Sequence, residues 1–488
     1  MAEHLLALDL GTTGVRALVV HASGEVVARS WRALSMALPA PLHVEQDPDE
    51  MWTASLEVMH AALDESGLHA RDLAGLGVVC QRATVIAWRR STGALLAPAL
   101  GWQDSRTLDR VRELVALGLP LNTQASCTKF EWLVQCVPEV ASAIRESDLL
   151  FGTPDTWLTW KLTQGEAFVT DPGHAACTGL IDPQELAWSP GILGLFNLDA
   201  SWFGNIVPTA QVVGATPPAL LGAPVPVAAR AGDQQAATFA QGVHQPGQSK
   251  LTLGTAAMLD VHIGSQFAPG AHGVHTLPLW QLSGPGCDYC LEGNVVTAGA
   301  TVDWLVSLGL LADPTSLDRL CAEVPSPEGV TFVPALQGLG TPFLEESATA
   351  LFGGMTRGST AAHLVRAAVS GIAQRCVDVV EAVPEGVGPI AVDGGLARSD
   401  TVLQDIADFS GRELLRADET ETTALGAAFL AALCVGLLET PEAVRDRVAA
   451  PQAFAPRRCE DERERAREAW QAALARCRDT LPDAVASE

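Results

Sequence analysis

Lysine is nearly absent from this chain. Only Lys129, Lys161 and Lys250 occur among 488 residues, and none lies in a GxxxxGK[ST] loop, so a Walker-type phosphate site is excluded. No VAIK-like strand or HRD loop is present either, which removes the protein-kinase plan. Bases as a whole are short: 31 against 57 acids, for a formal net charge of −26. Without a basic stripe to neutralise phosphates, neither nucleic acid nor an anionic membrane is expected as the main partner. Long apolar runs are missing too, and no window approaches the roughly 18 uninterrupted apolar residues of a membrane span. The first residues run straight into a strand pattern, without the basic n-region and apolar core of a signal peptide. A cytoplasmic protein is the expectation. The eleven cysteines are scattered, and Cys287-Asp-Tyr-Cys290 has no second CxxC to complete it. Zinc or redox chemistry there is a minor reading beside buried free thiols in a reducing compartment.

What remains is globular in composition, 48% hydrophobic and 18% charged, and long enough for two or three domains. Leu5 to Asp9 is an apolar strand run ending in an acid. Gly11-Thr12-Thr13-Gly14 turns the chain back through Val15–Val20, and a further turn leads to Val26–Ser30, an antiparallel meander. Lys250 to Leu253, Gly254-Thr255-Ala256 and Met258–Ile263 repeat the pattern. Such turns can surround an anion with backbone N–H groups and hydroxyls; a plain hairpin has the same composition. Two of them suggest a duplicated core with one phosphate-gripping turn in each half.

Other segments read as scaffold. Asp47-Pro48-Asp49-Glu50 has the cap, the proline and the acid of a helix start, and Trp52, Leu56, Met59 and Leu63 mark one face after it. The Pro/Gly-rich stretch from Phe151 to Pro226 reads as a lid or insertion. Helices are expected at Gly299–Leu310 and, amphipathic, at Thr360–Val380. A strand at Ile390–Asp393 runs into a glycine turn, the small-residue run from Thr423 can pack close to a backbone, and Arg457–Arg478 reads as a solvated terminal helix.

Gly232-Asp233-Gln234-Gln235 joins an apolar strand to a helical pattern. Chemistry in α/β sheets sits outside the carboxyl ends of strands, where Asp233 could accept a proton from a hydroxyl and Gln234 orient it. Alone, Asp233 is equally well a helix N-cap. The order of the surrounding motifs favours chemistry. LDLGTT, QRAT, GWQDSRT, GTPDTWLTWKLTQG, AGDQQAATFAQG, LTLGTA, ALQGLGTPF, VDGGLARSD and ETTALGAAFLAAL, over roughly residues 4 to 436, resemble the FGGY-type carbohydrate kinases, and in wording the glycerol kinase branch of them.

The resemblance implies an α/β fold of two duplicated ribonuclease H-like lobes, as in actin, Hsp70 and sugar kinases, with an ATP cleft between them. Residues 1–243 would form the lobe with the substrate and the first phosphate turn, and 244–488 the nucleotide lobe. It implies transfer of the ATP γ-phosphate to a hydroxyl of a small polyol or sugar. Thr12, Thr13, Gly14 and Arg16 match the first phosphate turn and Thr255 the second. Gly299, Gly395 and Ser399 match nucleotide positions, with Asp303 where the family has Gln. Asp233 matches the catalytic base, and Asp9 with Asp233 would organise Mg²⁺, a hard cation suited to one or two carboxylates plus phosphates. Arg82, Trp102, Asp233 and Gln234 match acceptor contacts. A homo-oligomer, dimer or tetramer, is compatible with this.

At the acceptor end three positions depart from the pattern. Ala83 replaces the acid of QRET, Gln124 stands where a tyrosine is expected, and Met258 replaces an aromatic residue. Hydrogen bonds to charged groups are worth ~1.5–3 kcal/mol each, so losing two lowers glycerol recognition by a factor on the order of a hundred to ten thousand. The expectation is a glycerol kinase-like enzyme with an altered acceptor pocket. Glycerol kinase proper and a xylulokinase-like sugar kinase are the alternatives, and an actin- or Hsp70-like ATPase with a binding or regulatory role is the alternative from another class.

Overall fold

Two β-sheets organise the chain in the computed structural model, which describes residues 2–119, 121, 124–282, 284, 286–383, 387–417 and 421–479. The first sheet uses β1 (His4–Leu10), β2 (Gly14–His21), β3 (Val26–Ala33), β4 (Leu73–Cys80) and β5 (Val227–Gly232). The second uses β6 (Ser249–Leu253), β7 (Ala257–Gly264), β8 (His275–Trp280), β9 (Asp288–Val295), β10 (Ile390–Asp393), β11 (Leu414–Arg416) and β12 (Gln452–Phe454). The helices that matter below are α1 (Pro48–Ser66), α2 (Asp233–Ala240), α3 (Gly299–Ser307), α4 (Ala361–Ala382), α5 (Asp400–Ser410), α6 (Thr422–Cys434) and α7 (Glu460–Asp479).

The chain divides into two compact units. The first comprises Met1–Gly242, Leu277–Tyr289 and Glu421–Val448, and the second Val243–Thr276, Cys290–Thr420 and Ala449–Glu488. In the first, the strand order is β5-β4-β1-β2-β3. β1 pairs antiparallel with β2 and parallel with β4, and β4 pairs parallel with β5. Six of the seven residues of β1 are buried, as expected of a central strand packed on both faces. Helix α6 crosses β1, β4 and β5. Its small residues serve that approach: a Cβ on Gly426 would lie 2.0 Å from the Ala236 carbonyl oxygen, so only glycine lets α6 meet α2.

Helix α1 starts as expected, with Asp47 accepting from the Asp49 N–H at 2.9 Å. Glu50, however, does not close the box; its carboxylate takes the Ser35 N–H at 3.1 Å. The buried face is Met51, Ala54, Val58, Met59 and Ala62. Of the expected face Met59 and Leu63 are buried, whereas Leu56 is only partly so and Trp52 lies at the edge with the Lys161 ammonium over its ring.

The second sheet has the order β8-β9-β7-β6-β10-β11-β12. Here β6 pairs antiparallel with β7 and parallel with β10, and β10 pairs parallel with β11. This repeats the relation of β1 to β2, β4 and β5, so the core is duplicated. Helix α4 is not amphipathic in use: charged Arg366, Arg375 and Asp378 are buried on it with its apolar residues. They are tolerated because they are paired, Arg375 to Asp378 at 2.6 Å and Arg366 to Asp405 at 2.7 Å. Nor is the terminal helix merely solvated. Trp470, Ala473, Leu474 and Cys477 of α7 are buried against Val333, Ala335, Leu339 and Ala348, and Arg467 reaches Asp378 at 2.7 Å.

Candidate functional site

In the first unit, Asp9 is the penultimate residue of β1 and Arg16 faces it in register on β2. Arg16 Nη1 lies 3.5 Å from Asp9 Oδ2 and 2.5 Å from Glu421 Oε2, just ahead of α6. Burial pushes the Asp9 carboxyl up to about 7; Arg16 opposes the shift, and the Asp233 and Glu421 carboxylates add to it. The turn between the two strands is half open. Thr12 is partly exposed and Thr13 exposed, while Gly14 is buried. Thr12 Oγ1 accepts from the Trp102 indole N–H at 2.9 Å, which ties the turn to the segment carrying Trp102.

The β5–α2 junction places Asp233 as the first residue of the helix, with Gly232 in the cap position. Asp233 is therefore not the N-cap. Its Oδ1 accepts from the adjacent Gln234 N–H at 2.9 Å, and Arg82 Nε stands 3.4 Å away. Ala83 follows Arg82, buried and at φ +60°, a left-handed conformation that costs a residue with a Cβ. Its carbonyl accepts from Ser126 Oγ at 3.0 Å. Gln124 is partly exposed, two residues before Ser126.

In the second unit three segments converge. The Gly254-Thr255 turn joins β6 and β7; the start of α3 lies on it, with Gly299 N–H donating to Gly254 O at 2.9 Å and Ala300 N–H to Thr255 O at 3.1 Å. A Cβ on Gly299 would meet that same Gly254 oxygen at 2.5 Å. The third is the Gly394-Gly395 turn after β10, where a Cβ on Gly394 would lie 2.5 Å from Leu253 O. Thr255, Asp303 and Gly395 are exposed. Ser399 is buried at the start of α5, accepting from Val402 N–H at 3.2 Å and donating to Asp318 Oδ1 at 2.5 Å. Met258 lies on β7, partly exposed and opposite Thr252.

Sequence reasoning passed over three groups. Glu421 belongs to the quoted ETTALG motif but had no role. Lys129 is wholly buried. Asp155, Asp171 and His174 are fully buried, with ligand-type atoms within 4.8 Å of one another. His174 Nδ1 lies 2.8 Å from Asp171 Oδ1 and 3.8 Å from Asp155 Oδ2. Burial alone would lower the imidazole, but these two carboxylates prevail and hold it up at about 9. The ring is thus itself the cation of the cluster. Asp155 stands in the quoted GTPDTW motif; nothing local marked its pairing with His174. All eleven cysteines are free, Cys287 and Cys290 among the buried ones.

Family comparison covers both units. Residues 4–240 match the N-terminal domain, and 250–434 the C-terminal domain, of the FGGY family of carbohydrate kinases. A glycerol kinase of Aromatoleum aromaticum is 40% identical over 491 residues, covering 98% of this chain and 99% of that protein. One of Citrifermentans bemidjiense is 38% identical, covering 96% and 97%. Among solved structures, Plasmodium falciparum glycerol kinase with ADP superposes with a TM-score of 0.91 at 27% identity, covering 98% of each chain. A ligand-bound xylulose kinase of Lactobacillus acidophilus shares the fold, with a TM-score of 0.88 at 20% identity and 99% coverage of each. No helix among the described residues is long and apolar enough to cross a membrane.

Proposed function

This chain belongs to the FGGY family of carbohydrate kinases, and we propose that its acceptor is a small polyol, glycerol being the first to test. The enzyme is an ATP-dependent phosphotransferase with an alcohol acceptor. The observation that carries the acceptor reading is the Asp233–Arg82 pair at the β5–α2 junction, 3.4 Å apart. Arg82, Trp102 and Gln234 hold the hydroxyls, and Asp233 receives the proton of the attacking one. The acceptor oxygen bonds to the γ-phosphorus as the bond to the β–γ bridging oxygen breaks. Because the transition state is loose, the protein acts mainly by positioning and charge stabilisation.

Mg²⁺ fits the donor set. Asp9 is held near 7 by burial and by the neighbouring Asp233 and Glu421 carboxylates, a situation a hard cation relieves. Asp9 and Asp233 would organise the ion, which when bound supplies charge compensation for the phosphates. Residues 1–243 are assigned the acceptor and first phosphate turn. Residues 244–488 are assigned the nucleotide through Thr255, Gly299, Asp303, Gly395 and Ser399, and Gln124 is assigned to the acceptor. A cytoplasmic location, where ATP is available, and self-association complete the reading.

One observation favours a second acceptor class. Ala83 is buried with only a methyl group where the glycerol kinase pattern has an acid, a smaller and uncharged side chain that suits an acceptor larger than glycerol, such as a ketopentose. A coupled ADP-release screen over glycerol, tetritols, pentuloses and hexuloses decides between them. Glycerol or a tetritol as best acceptor supports the polyol reading; a pentulose as best acceptor overturns it. In either case Asp233→Asn should lower kcat steeply with ATP affinity nearly unchanged, and a near-parental kcat would remove Asp233 from the base role.

A further inference from the structure

Lys129 is one of three lysines in the chain, and its side chain has no access to solvent. Its Nζ donates to Gly101 O at 2.8 Å, to Trp102 O at 3.2 Å and to Ala83 O at 3.4 Å. Among the described residues no carboxylate pairs with it. An ammonium group has three donors and no acceptor, so three carbonyls are the complement it can satisfy. Those carbonyls belong to the two segments that present Arg82 and Trp102. A wholly buried cation whose direct partners are neutral carbonyls is costly, and that cost marks a role the packing of the core would not require.

We propose that Lys129 is a positioning residue for acceptor binding: its ammonium fastens the Arg82–Ala83 and Gly101–Trp102 segments into one wall, and loss of its third proton loosens that wall. The inference rests on the reading that these segments carry the acceptor. Arg82 Nε points to Asp233 at 3.4 Å and the Trp102 indole to Thr12 at 2.9 Å, so slack in the wall moves both acceptor contacts together. A neutral amine turns a lone pair toward one of the three carbonyl oxygens and gives up that tie.

The charge sits at a tipping point. Burial pushes Lys129 down to about 7, Asp104 and Cys127 act to raise it, and Arg106 acts to lower it. The wall does not depend on Lys129 alone. Trp102 N–H also donates to Thr84 Oγ1 at 3.1 Å, and Val85 and Leu100 exchange backbone hydrogen bonds. A lysine variant therefore retains the fold of these segments.

Two measurements test this. In steady-state kinetics with glycerol and ATP, Lys129→Met should raise the glycerol KM about tenfold, the scale of one or two lost hydrogen bonds, with the ATP KM unchanged. The wild-type glycerol KM should rise as pH increases through about 7, and the Met variant should lose that step. An unchanged glycerol KM in Lys129→Met, or an equal change in both KM values, overturns the proposal. The second readout needs no variant to fold. In protein labelled with ¹³C-lysine, the Cε signals of three lysines resolve separately; one should titrate near 7, and saturating glycerol should raise its midpoint, by the reciprocity of linked equilibria. A midpoint that glycerol leaves in place, in an enzyme that turns glycerol over, overturns the proposal while the acceptor reading stands. An enzyme inactive toward every polyol and sugar instead overturns the acceptor reading on which it rests.

Discussion

Asp9 and Arg16 face each other in register across the first hairpin, 3.5 Å apart, yet Arg16 does not make Asp9 an ordinary carboxylate. Burial and the Asp233 and Glu421 carboxylates outweigh the guanidinium and raise Asp9 to about 7. A raised acid contributes stability that is complete below its unfolded value of 3.8 and lost as pH rises through about 7. Without Mg²⁺ or nucleotide, the melting temperature should therefore carry a component that falls between those values. Asp9→Asn should abolish that component, leave the variant more stable than wild type at pH 8, and sharply lower kcat. A melting curve for Asp9→Asn that follows the wild-type pH dependence would remove Asp9 as its source.

The two Gly-Thr turns are alike in sequence but differ in attachment. Thr12 Oγ1 is the acceptor for the Trp102 indole, whereas Thr255 is exposed on its turn. Thr12→Val should raise the acceptor KM several-fold, within the ~1–3 kcal/mol cost of a stranded donor, as well as weakening ATP use. Thr255→Val should weaken ATP use alone. Acceptor and ATP titrations of both variants separate the effects; equal behaviour of the two would show that the indole contact has no bearing on the acceptor.

His174 gives the first unit a pH dependence of opposite origin. Its pKa is raised from 6.5 to about 9, against the effect of burial, by Asp155 and Asp171. Its stabilisation is complete below 6.5 and is lost as pH climbs through about 9. Replacing the ring by an uncharged side chain removes the cation hydrogen-bonded to Asp171 and leaves the two buried carboxylates only the field of Arg230, a loss of about 3–5 kcal/mol for a broken buried pair. Urea unfolding of His174→Gln should show that loss at pH 6, and little difference from wild type above pH 9. A constant deficit across the whole range would argue for a packing role without charge.

The elements legible in the sequence were those whose signal is local. The hairpins around Gly11 and Gly254, the β5–α2 junction at Asp233 and the small-residue helix α6 are each written in one short consecutive stretch. The less legible parts depend on which face tertiary packing selects. The apolar residues of α1 fit two overlapping stripes, and only contact with β2 and β3 chose Met51 and Val58 over Trp52 and Leu56. Helix α7 is charged over most of its length, and its few apolar residues become core because Val333 and Leu339 lie beneath them. Lys129 finds its carbonyl partners across loops, and His174 reaches Asp155 likewise; only its bond to Asp171, three residues before it, is local. Asp233 was visible as a strand-end acid, but only the structure separated it from the cap position.

The last prediction concerns acceptor choice. Ala83 is 5% exposed and held at φ +60° by its position between Arg82 and the Ser126 and Lys129 contacts to its carbonyl. Ala83→Glu introduces no new backbone strain, since alanine already bears the Cβ that this conformation disfavours. The new carboxylate would enter beside Arg82, whose charge favours its ionised form, and could accept from two acceptor hydroxyls. If the missing acid is what turns the pocket from glycerol, the variant should raise kcat/KM for glycerol about tenfold or more. It should lower kcat/KM for a larger acceptor, because the added group fills the space and must be desolvated. Measuring wild type and Ala83→Glu on glycerol and on the best acceptor from the ADP-release screen reads both signs at once. Should wild type already use glycerol best and the variant be no better, Ala83 has no part in acceptor choice, and Arg82, Trp102 and Asp233 suffice to recognise glycerol without the acid.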